Sequence, residues 1–297
     1  MTDSNDIKIS FEFFPPKNDE MALQLCAAVK DLKRWQPSFV SVTYGAGGTT
    51  RDTTLATVRS LIQDHGLAAA SHLTCVGSTR QEVQQVIAEC RAAGIRHFVA
   101  LRGDPQGGIG SAYQPHPGGY ANAAELTAAL TALGGFEISV SAYPEKHPES
   151  RDAAADIDML KRKVDAGASR ALTQFFFDND VFARYLERVR AAGITIPIVP
   201  GILPIQNLAQ VKRFASLCGA SVPDFVEEAL APVDDQPLER AKRAADLASQ
   251  QVRELVALGI SEFHFYTMNR QALVSDVLEQ SELRGASQRP QASSAAA

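Results

Sequence analysis

Residues 68–102 read AAASHLTCVGSTRQEVQQVIAECRAAGIRHFVALR, and this stretch decides the fold. The apolar runs Ala68–Val76 and His97–Arg102 predict two strands that are buried on both faces. Between them apolar side chains recur at helical spacing, and Thr79 precedes a glutamate by three residues, the capping-box spacing of a helix start. Gly94 follows the last apolar position of that helix, where a C-terminal cap is expected. The stretch therefore predicts a strand, a helix and a second strand parallel to the first.

The same alternation continues in both directions along the chain. Further strands are predicted at Ile7–Phe14, Phe39–Tyr44, Glu137–Ala142, Arg170–Phe177, Ile196–Ile202 and Glu262–Tyr266. Eight strand–helix units in 297 residues favour a closed (β/α)8 barrel, or TIM barrel, over an open α/β sheet. The long interval before the last strand is expected to contain two helices, with Pro223 at the break between them. We expect one catalytic barrel domain over residues 1–284 and a disordered, low-complexity tail over residues 285–297.

The composition excludes several classes of protein. With 45% hydrophobic and 21% charged residues, the chain has the composition of a soluble globular protein. Its net charge of −5 argues against a basic surface for nucleic acid. Four scattered cysteines without a C-x-x-C pair argue against a disulfide framework or a zinc ribbon, and they fit a reducing cytoplasm. The acidic N-terminus does not resemble a signal peptide, and no apolar run reaches the roughly 20 residues that span a membrane.

In a βα barrel the functional site lies at the carboxyl ends of the strands, and polar residues gather at these ends here. Glu12 lies among three phenylalanines, so partial desolvation would leave its proton in place, as a general acid requires; the alternative is a solvent-facing position. Asp104 follows Arg102 by two residues. It either belongs to a site, caps the next loop or pairs with that arginine. For His72, in the middle of a strand, a satisfied core histidine and a ligand contact are equally open.

Other patterns are weaker or absent. The glycines of residues 45–48 suggest a phosphate-binding loop, but Thr50 stands where a dinucleotide fingerprint has its third glycine, so a plain tight turn is an equal alternative. The motifs of zinc metalloproteases, P-loop enzymes and serine esterases are missing, and no metal ligands are predicted.

Eight motifs occur together and in order. They are FEFFPPK (11–17), VTYG (42–45), HLTC (72–75), LRGD (101–104), AYPE followed by HP (142–148), TQFFFD (173–178), PGILP (200–204) and FYTMNR (265–270). With them the chain, over residues 7–280, resembles the methylenetetrahydrofolate reductases in their short bacterial form. The resemblance implies a flavin-containing barrel in which hydride passes from NADH or NADPH to FAD, and then to 5,10-methylenetetrahydrofolate, in a ping-pong sequence. It also implies 5-methyltetrahydrofolate for methionine synthesis as the product, and a cytoplasmic homo-oligomer, dimer or tetramer.

The resemblance also implies roles for individual residues. Glu12 is similar to the acid that protonates the folate as its five-membered ring opens, and Asp104 to the carboxylate that stabilises the cationic iminium intermediate. Positions implied around FAD are Thr43, His72, Arg102, Gly103, Asp104, Tyr120, Ala121, Tyr143, His147, Asp156 and Lys163. Positions implied around the folate are Gln174, Tyr266 and Arg270.

Two other functions remain as hypotheses. One is a flavin-free methyltransferase built on a folate-binding barrel, and the other is a binding protein without catalysis. The presence of Glu12, Asp104 and Gln174 argues against the second, because binding alone does not need a proton donor.

Overall fold

The structure is a computed structural model that describes residues 7–45, 50–105 and 111–283. Its strands are β1 (Lys8–Phe13), β2 (Phe39–Val42), β3 (Ala69–Thr74), β4 (His97–Leu101), β5 (Glu137–Ala142), β6 (Arg170–Phe175), β7 (Ile198–Ile202) and β8 (Glu262–Tyr266). All neighbouring strands pair in parallel and in sequence order, and β8 pairs with β1 to close the barrel. The predicted eight-stranded barrel is confirmed, with strand ends that agree to within two residues.

Helices follow the strands on the outside. They are α1 (Asp19–Leu32), α2 (Arg51–Gln63), α3 (Arg80–Ala92), α4 (Ala123–Leu133), α5 (Ala153–Asp165), α6 (Asn179–Ala191), α7 (Leu208–Cys218), α8 (Asp224–Leu230), α9 (Pro237–Ala257) and α10 (Ala272–Gln280). None of the helices in the described ranges is long and apolar enough to cross a membrane. The predicted tail, residues 285–297, lies outside the described residues.

The interval between β7 and β8 differs from the prediction, because it contains the three helices α7, α8 and α9 instead of two. Pro223 does stand at a break, as the N-cap of α8. A second break follows where Pro232 lies in a short 3₁₀ helix and Pro237 opens α9. Proline lacks the N–H that a helix interior needs. Pro232 and Pro237 therefore separate α8 from α9, where the sequence pattern predicted one helix.

The stretch that predicted the fold is built as expected. Thr79 caps α3, and the backbone N–H of Thr79 donates to Glu82 Oε2 at 2.7 Å while the N–H of Glu82 donates to Thr79 Oγ1 at 3.2 Å. Gly94 follows the helix with φ +87°, a left-handed conformation that suits glycine. These two caps fix the length of α3 and therefore the point at which β4 begins.

Side chains inside the barrel form layers along its axis. A small apolar cluster in the middle consists of Phe39, Ala70, Val99, Leu172 and Val199. Charged side chains of β1, β5, β6 and β8 lie at the amino ends of the strands, below this cluster, and polar side chains lie above it at the carboxyl ends. The upper layer is the part of the barrel that can meet a ligand.

Candidate active site

A cavity of about 440 Å³ opens at the carboxyl ends of β4 and β5. Its wall also includes the first turns of α4 and α5. Seven of the residues predicted around a cofactor line it, namely Arg102, Gly103, Asp104, Tyr143, His147, Asp156 and Lys163. The sequence motifs at the ends of β4 and β5 therefore meet in one place, although about 40 residues of chain separate them.

Arg102 is held rigidly in the cavity wall. Its Nη1 and Nη2 donate to the two carboxylate oxygens of Glu149 at 2.6 and 2.7 Å. The guanidinium carbon lies 4.3 Å from the centre of the Tyr113 ring, a cation–π contact. Hydrogen bonds from Arg102 hold the pKa of Glu149 below its usual value. The partner of Arg102 is thus Glu149 and not Asp104, so the predicted alternative in which Asp104 pairs with Arg102 is wrong.

Lys163 provides a second cation, and it is buried. Its ammonium group donates to the backbone oxygen of Ser141. Burial lowers the pKa of Lys163 to about 8, and Asp156 partly opposes this shift. An anionic ligand beside Lys163 would therefore favour its charged form near neutral pH.

His147 and Tyr143 complete the polar wall. Their rings meet edge to face, with centres 4.7 Å apart. Burial, with Arg102 nearby, lowers the pKa of His147, so the ring is mainly neutral at pH 7. Burial raises the pKa of Tyr143 to about 12, so its hydroxyl keeps its proton. Both groups can therefore donate or accept hydrogen bonds without bringing a charge.

Two helices point their N-termini at the cavity. Asn122 caps α4 and Asp152 caps α5, and the residues that follow each cap line the wall. The N-terminus of a helix has a partial positive charge and favours anions. With Arg102 and Lys163, this part of the cavity suits a ligand with phosphate groups.

Gly103 turns the chain at the end of β4. It has φ +89°, and a Cβ at this position would lie 2.5 Å from Val76 Cγ1 and 2.9 Å from Thr74 Cβ. The turn leaves Asp104 exposed at the mouth of the cavity. Within the ranges that the structure describes, Asp104 makes no ion pair.

Glu12 lies inside the barrel at its carboxyl end. Only 12% of its side chain is exposed, so the solvent-facing alternative is wrong. Its Oε2 atom lies 3.4 Å from His72 Nε2 and 3.7 Å from His264 Nε2. Burial lowers the pKa of His72, so this imidazole is neutral at pH 7. A carboxyl group beside the neutral imidazole of His72 is a chemically suitable proton donor or acceptor.

The FYTMNR motif fixes the backbone around Glu12. Thr267 Oγ1 donates to the backbone oxygen of Glu12 at 2.7 Å. The side chain of Asn269 accepts from the N–H of Phe14 at 2.8 Å and donates to the oxygen of Phe14 at 2.9 Å. Met268 and Asn269 have φ +52° and +55°. This strained turn follows β8 and lies against the part of β1 that contains Glu12.

The residues predicted around the folate do not all meet. The Tyr266 hydroxyl donates to the backbone oxygen of Thr173 at 2.6 Å, while Gln174 Oε1 accepts from the N–H of the next residue at 3.1 Å. Burial raises the pKa of Tyr266 well above its usual value. Arg270 lies farther out, in a separate cavity of about 120 Å³, where it donates to Gln206 Oε1 at 2.8 Å.

Four of the positions predicted around the cofactor do not line the cavity of about 440 Å³: His72, which lies against Glu12, and Thr43, Tyr120 and Ala121. Thr43 follows β2 and precedes Tyr44, which does line the wall. The ring of Tyr120 is buried under Arg80, whose guanidinium carbon lies 4.9 Å from its centre, and Ala121 directly precedes the lining residues of α4. Most of the phosphate-loop candidate, residues 46–49, lies outside the described residues.

Comparisons with known proteins decide the family. A family model described as methylenetetrahydrofolate reductase matches residues 1–282. The 5,10-methylenetetrahydrofolate reductases of Pectobacterium carotovorum and Escherichia coli are each 43% identical to the chain, over 90% and 89% of its length and 87% of theirs. The chain belongs to the methylenetetrahydrofolate reductase family.

A plant protein and a solved structure are also similar to the chain. Methylenetetrahydrofolate reductase (NADH) 1 of Arabidopsis thaliana is 34% identical over 91% of this chain and 47% of its own. A solved structure of an uncharacterized Clostridium thermocellum protein that binds two copies of 5-methyl-5,6,7,8-tetrahydrofolic acid matches with a TM-score of 0.62. The match covers 94% of this chain and 96% of that one at 12% identity, and it shows a shared fold.

Three residues of this site were not predicted from the sequence: Glu149, Asn269 and His264. Glu149 pairs with an arginine 47 residues away, so no local pattern reveals it. Asn269 left a signal, because asparagine tolerates a left-handed backbone better than most residues. His264 also left one, since strand alternation places it on the same face of β8 as Tyr266. No group of three or more metal-ligating side chains occurs in residues 7–45, 50–105 and 111–283.

Proposed function

We propose that this protein reduces 5,10-methylenetetrahydrofolate to 5-methyltetrahydrofolate, with FAD as its bound cofactor and NADH or NADPH as electron donor. The observation that supports this most directly is the position of Glu12, nearly buried at the carboxyl end of the barrel between His72 and His264. Opening the folate ring needs a proton on nitrogen, and a largely buried carboxyl group at the carboxyl end of the barrel is suited to donate it.

The cavity fits a dinucleotide flavin. Its volume of about 440 Å³ lies in the range of cofactor pockets. Arg102, Lys163 and the N-termini of α4 and α5 would hold the two phosphates, and Tyr143 and His147 would contact polar edges of the cofactor. When bound, FAD supplies the two-electron chemistry that no protein side chain offers, receiving hydride from the nicotinamide and delivering it to the folate.

Side chains of the protein donate the proton to the folate and stabilise the positive charge that forms on it. Glu12 gives its proton to a ring nitrogen, and the carbon–nitrogen bond of the five-membered ring then breaks with its electron pair on nitrogen. The methylene carbon becomes cationic, and the exposed carboxylate of Asp104 at the cavity mouth attracts that charge. Gln174 and Tyr266, above the apolar layer, are available to orient the folate ring.

The donor, the product's use and the assembly are part of the same proposal. The Arabidopsis relative has NADH in its name, so NADH is the first donor to test. We expect 5-methyltetrahydrofolate to supply methyl groups for methionine synthesis. We also expect a cytoplasmic homo-oligomer.

Spectroscopy tests the proposal. The purified protein should show flavin absorbance, or acquire it when FAD is added, and anaerobic NADH should bleach it. Addition of 5,10-methylenetetrahydrofolate should restore the absorbance and yield 5-methyltetrahydrofolate. A protein that binds no flavin but transfers the methyl group of 5-methyltetrahydrofolate would instead be the flavin-free methyltransferase.

A further inference from the structure

His264 is a buried histidine that the reaction described above does not use. It lies on β8 directly opposite Ser10 of β1, and none of its surface is exposed. Its Nδ1 atom is 2.7 Å from Ser10 Oγ. Its Nε2 atom lies 3.7 Å from Glu12 Oε2 and has no hydrogen-bond partner in the described ranges. A buried polar atom without a partner costs free energy, so its presence needs an explanation.

Ser10 Oγ contacts both His264 and a backbone oxygen, and these two contacts bear on which ring nitrogen of His264 has the hydrogen. The Ser10 hydroxyl lies 3.1 Å from the backbone oxygen of Phe263, a group that only accepts hydrogen bonds. When the hydroxyl donates its single hydrogen to that oxygen, Ser10 Oγ is an acceptor for His264 Nδ1–H. In a neutral imidazole with hydrogen on Nδ1, the Nε2 atom presents a bare lone pair. That lone pair faces the carboxyl group of Glu12.

We propose that His264 is a positioning residue that keeps the proton on Glu12, and that Ser10 holds His264 in the tautomer that does so. With Glu12 ionised, two acceptors face each other in a buried site, which is unfavourable. With Glu12 protonated, its O–H can donate to Nε2, and a modest side-chain rotation shortens the 3.7 Å separation. This inference rests on the proposed function of Glu12 as the acid.

The proton of Glu12 follows a defined route during turnover. It stays on Glu12 until a folate ring nitrogen accepts it and the ring carbon–nitrogen bond breaks. Glu12 is then a carboxylate that faces the lone pair of His264, and this unfavourable arrangement drives Glu12 to take a proton from solvent before the next turnover.

The other titratable groups around the pair do not offer a competing charge. On β3, His72 lies 3.4 Å from Glu12 and 3.3 Å from Ser41 Oγ, and burial lowers its pKa. On β8, Tyr266 keeps its proton because burial raises its pKa. Tyr143 of the β5 end and Cys218 of α7 lie beyond Tyr266, and burial raises the pKa of both. These groups are uncharged at neutral pH.

The groups below His264 are neutral or paired. The Phe39 ring of β2 stacks on the imidazole with centres 5.8 Å apart. On β4, burial lowers the pKa of His97 to about 4. Arg170 of β6 is paired with Glu137 of β5 and with Glu262 of β8. The proton on Glu12 therefore depends on His264 and Ser10 more than on any neighbouring charge.

A pair of serine variants tests the inference. In Ser10→Ala the His264 ring is free to place its hydrogen on Nε2 and donate it to the Glu12 carboxylate, which favours the ionised acid. The rate at which folate reoxidises the reduced flavin should fall about tenfold above the midpoint of its pH profile, with that midpoint about one unit lower. Flavin reduction by NADH should change less than about twofold.

Ser139→Ala is the matched control. Ser139 Oγ lies 2.8 Å from His97 Nε2, and this serine is also fully buried inside the barrel, but its histidine does not face Glu12. Both half-reactions should keep their pH profiles in this variant. An unmoved folate profile in Ser10→Ala, or equal shifts in the two variants, would overturn the inference.

Nitrogen NMR tests the tautomer directly and does not need activity. In the ¹⁵N-histidine-labelled protein at pH 7.5, His264, assigned with His264→Phe, should show a protonated Nδ1 and a bare Nε2. A protonated Nε2 would overturn the inference even if Ser10→Ala cannot be purified. If the protein neither binds flavin nor reduces folate, the proposed function fails, and this tautomer result still stands separately.

Discussion

The two ends of the barrel interior use similar side chains for different purposes. At the amino ends of the strands, Arg170 pairs with Glu137 and lies 3.3 Å from Glu262, which also lies 3.3 Å from Lys8. At the carboxyl ends, Glu12 faces two imidazoles and, among residues 7–45, 50–105 and 111–283, no lysine or arginine within 4 Å. The lower end therefore neutralises its charges to close the barrel, whereas the upper end keeps a carboxyl group available for proton transfer.

The largest expected effect comes from removing the acid. Glu12→Gln should lower steady-state reduction of 5,10-methylenetetrahydrofolate by about 10³-fold, since positioned general acids contribute about 10²–10⁴. Its Tm should not fall, because the amide keeps the shape and no ion pair to a lysine or arginine is lost. Glu262 is also a carboxylate inside the barrel, but it pairs with cations. Glu262→Gln should therefore lower the Tm and leave turnover normal. Equal activity losses in both variants would remove the distinction between the two ends.

The second prediction concerns the ion pairs at the amino ends of the strands. Arg170→Met leaves Glu137 and Glu262 without their shared cation. We expect the free energy of unfolding to fall by about 2 kcal/mol, less than for a fully buried pair, because solvent screens the half-exposed Glu137. Denaturant unfolding measures this. Folate turnover per folded molecule should stay within about twofold of the original protein. A stable Arg170→Met protein with impaired chemistry would contradict the assignment of this end to structure.

The sequence predicts the strands well and the partners of charged groups poorly. Parallel strands are buried on both faces, so their continuous apolar runs are visible in the sequence. The partners of Glu12, in contrast, lie on β3 and β8, and His264 is 252 positions away in the chain. Which side chains meet there depends on barrel closure and register. The same reason explains why Arg102 was expected to have Asp104 as a possible partner and has Glu149 instead.

The third prediction concerns pH at the cavity. Lys163 has its pKa lowered by burial to about 8, so it is charged below pH 8 and loses that charge above it. A cation attracts the phosphates of FAD, and its loss should weaken FAD binding about tenfold between pH 7 and pH 9. Fluorescence titration of the protein freed of flavin measures this. The dependence should disappear in Lys163→Met, and an unchanged slope in that variant would exclude Lys163 as its source.

The smallest effect is expected at the cavity mouth. Asp104 is exposed, so solvent screens its charge and Asp104→Asn should slow folate reduction only about tenfold or less. NADH reduction of the flavin should change less, because it forms no cation on the folate. Single-turnover rates for the two steps, compared at low and high salt, measure both effects. Unchanged folate kinetics would remove Asp104 from the catalytic group.

The central claim is that Glu12 supplies the proton in a flavin-dependent reduction of folate. Anaerobic stopped-flow mixing of Glu12→Gln with NADH, and then with 5,10-methylenetetrahydrofolate, tests it in two steps. The flavin of the variant should bleach at the rate of the original protein. The folate should fail to restore the flavin absorbance on the time scale on which it does so in the original protein. Rapid reoxidation by the folate, or equal loss of both steps, would contradict it.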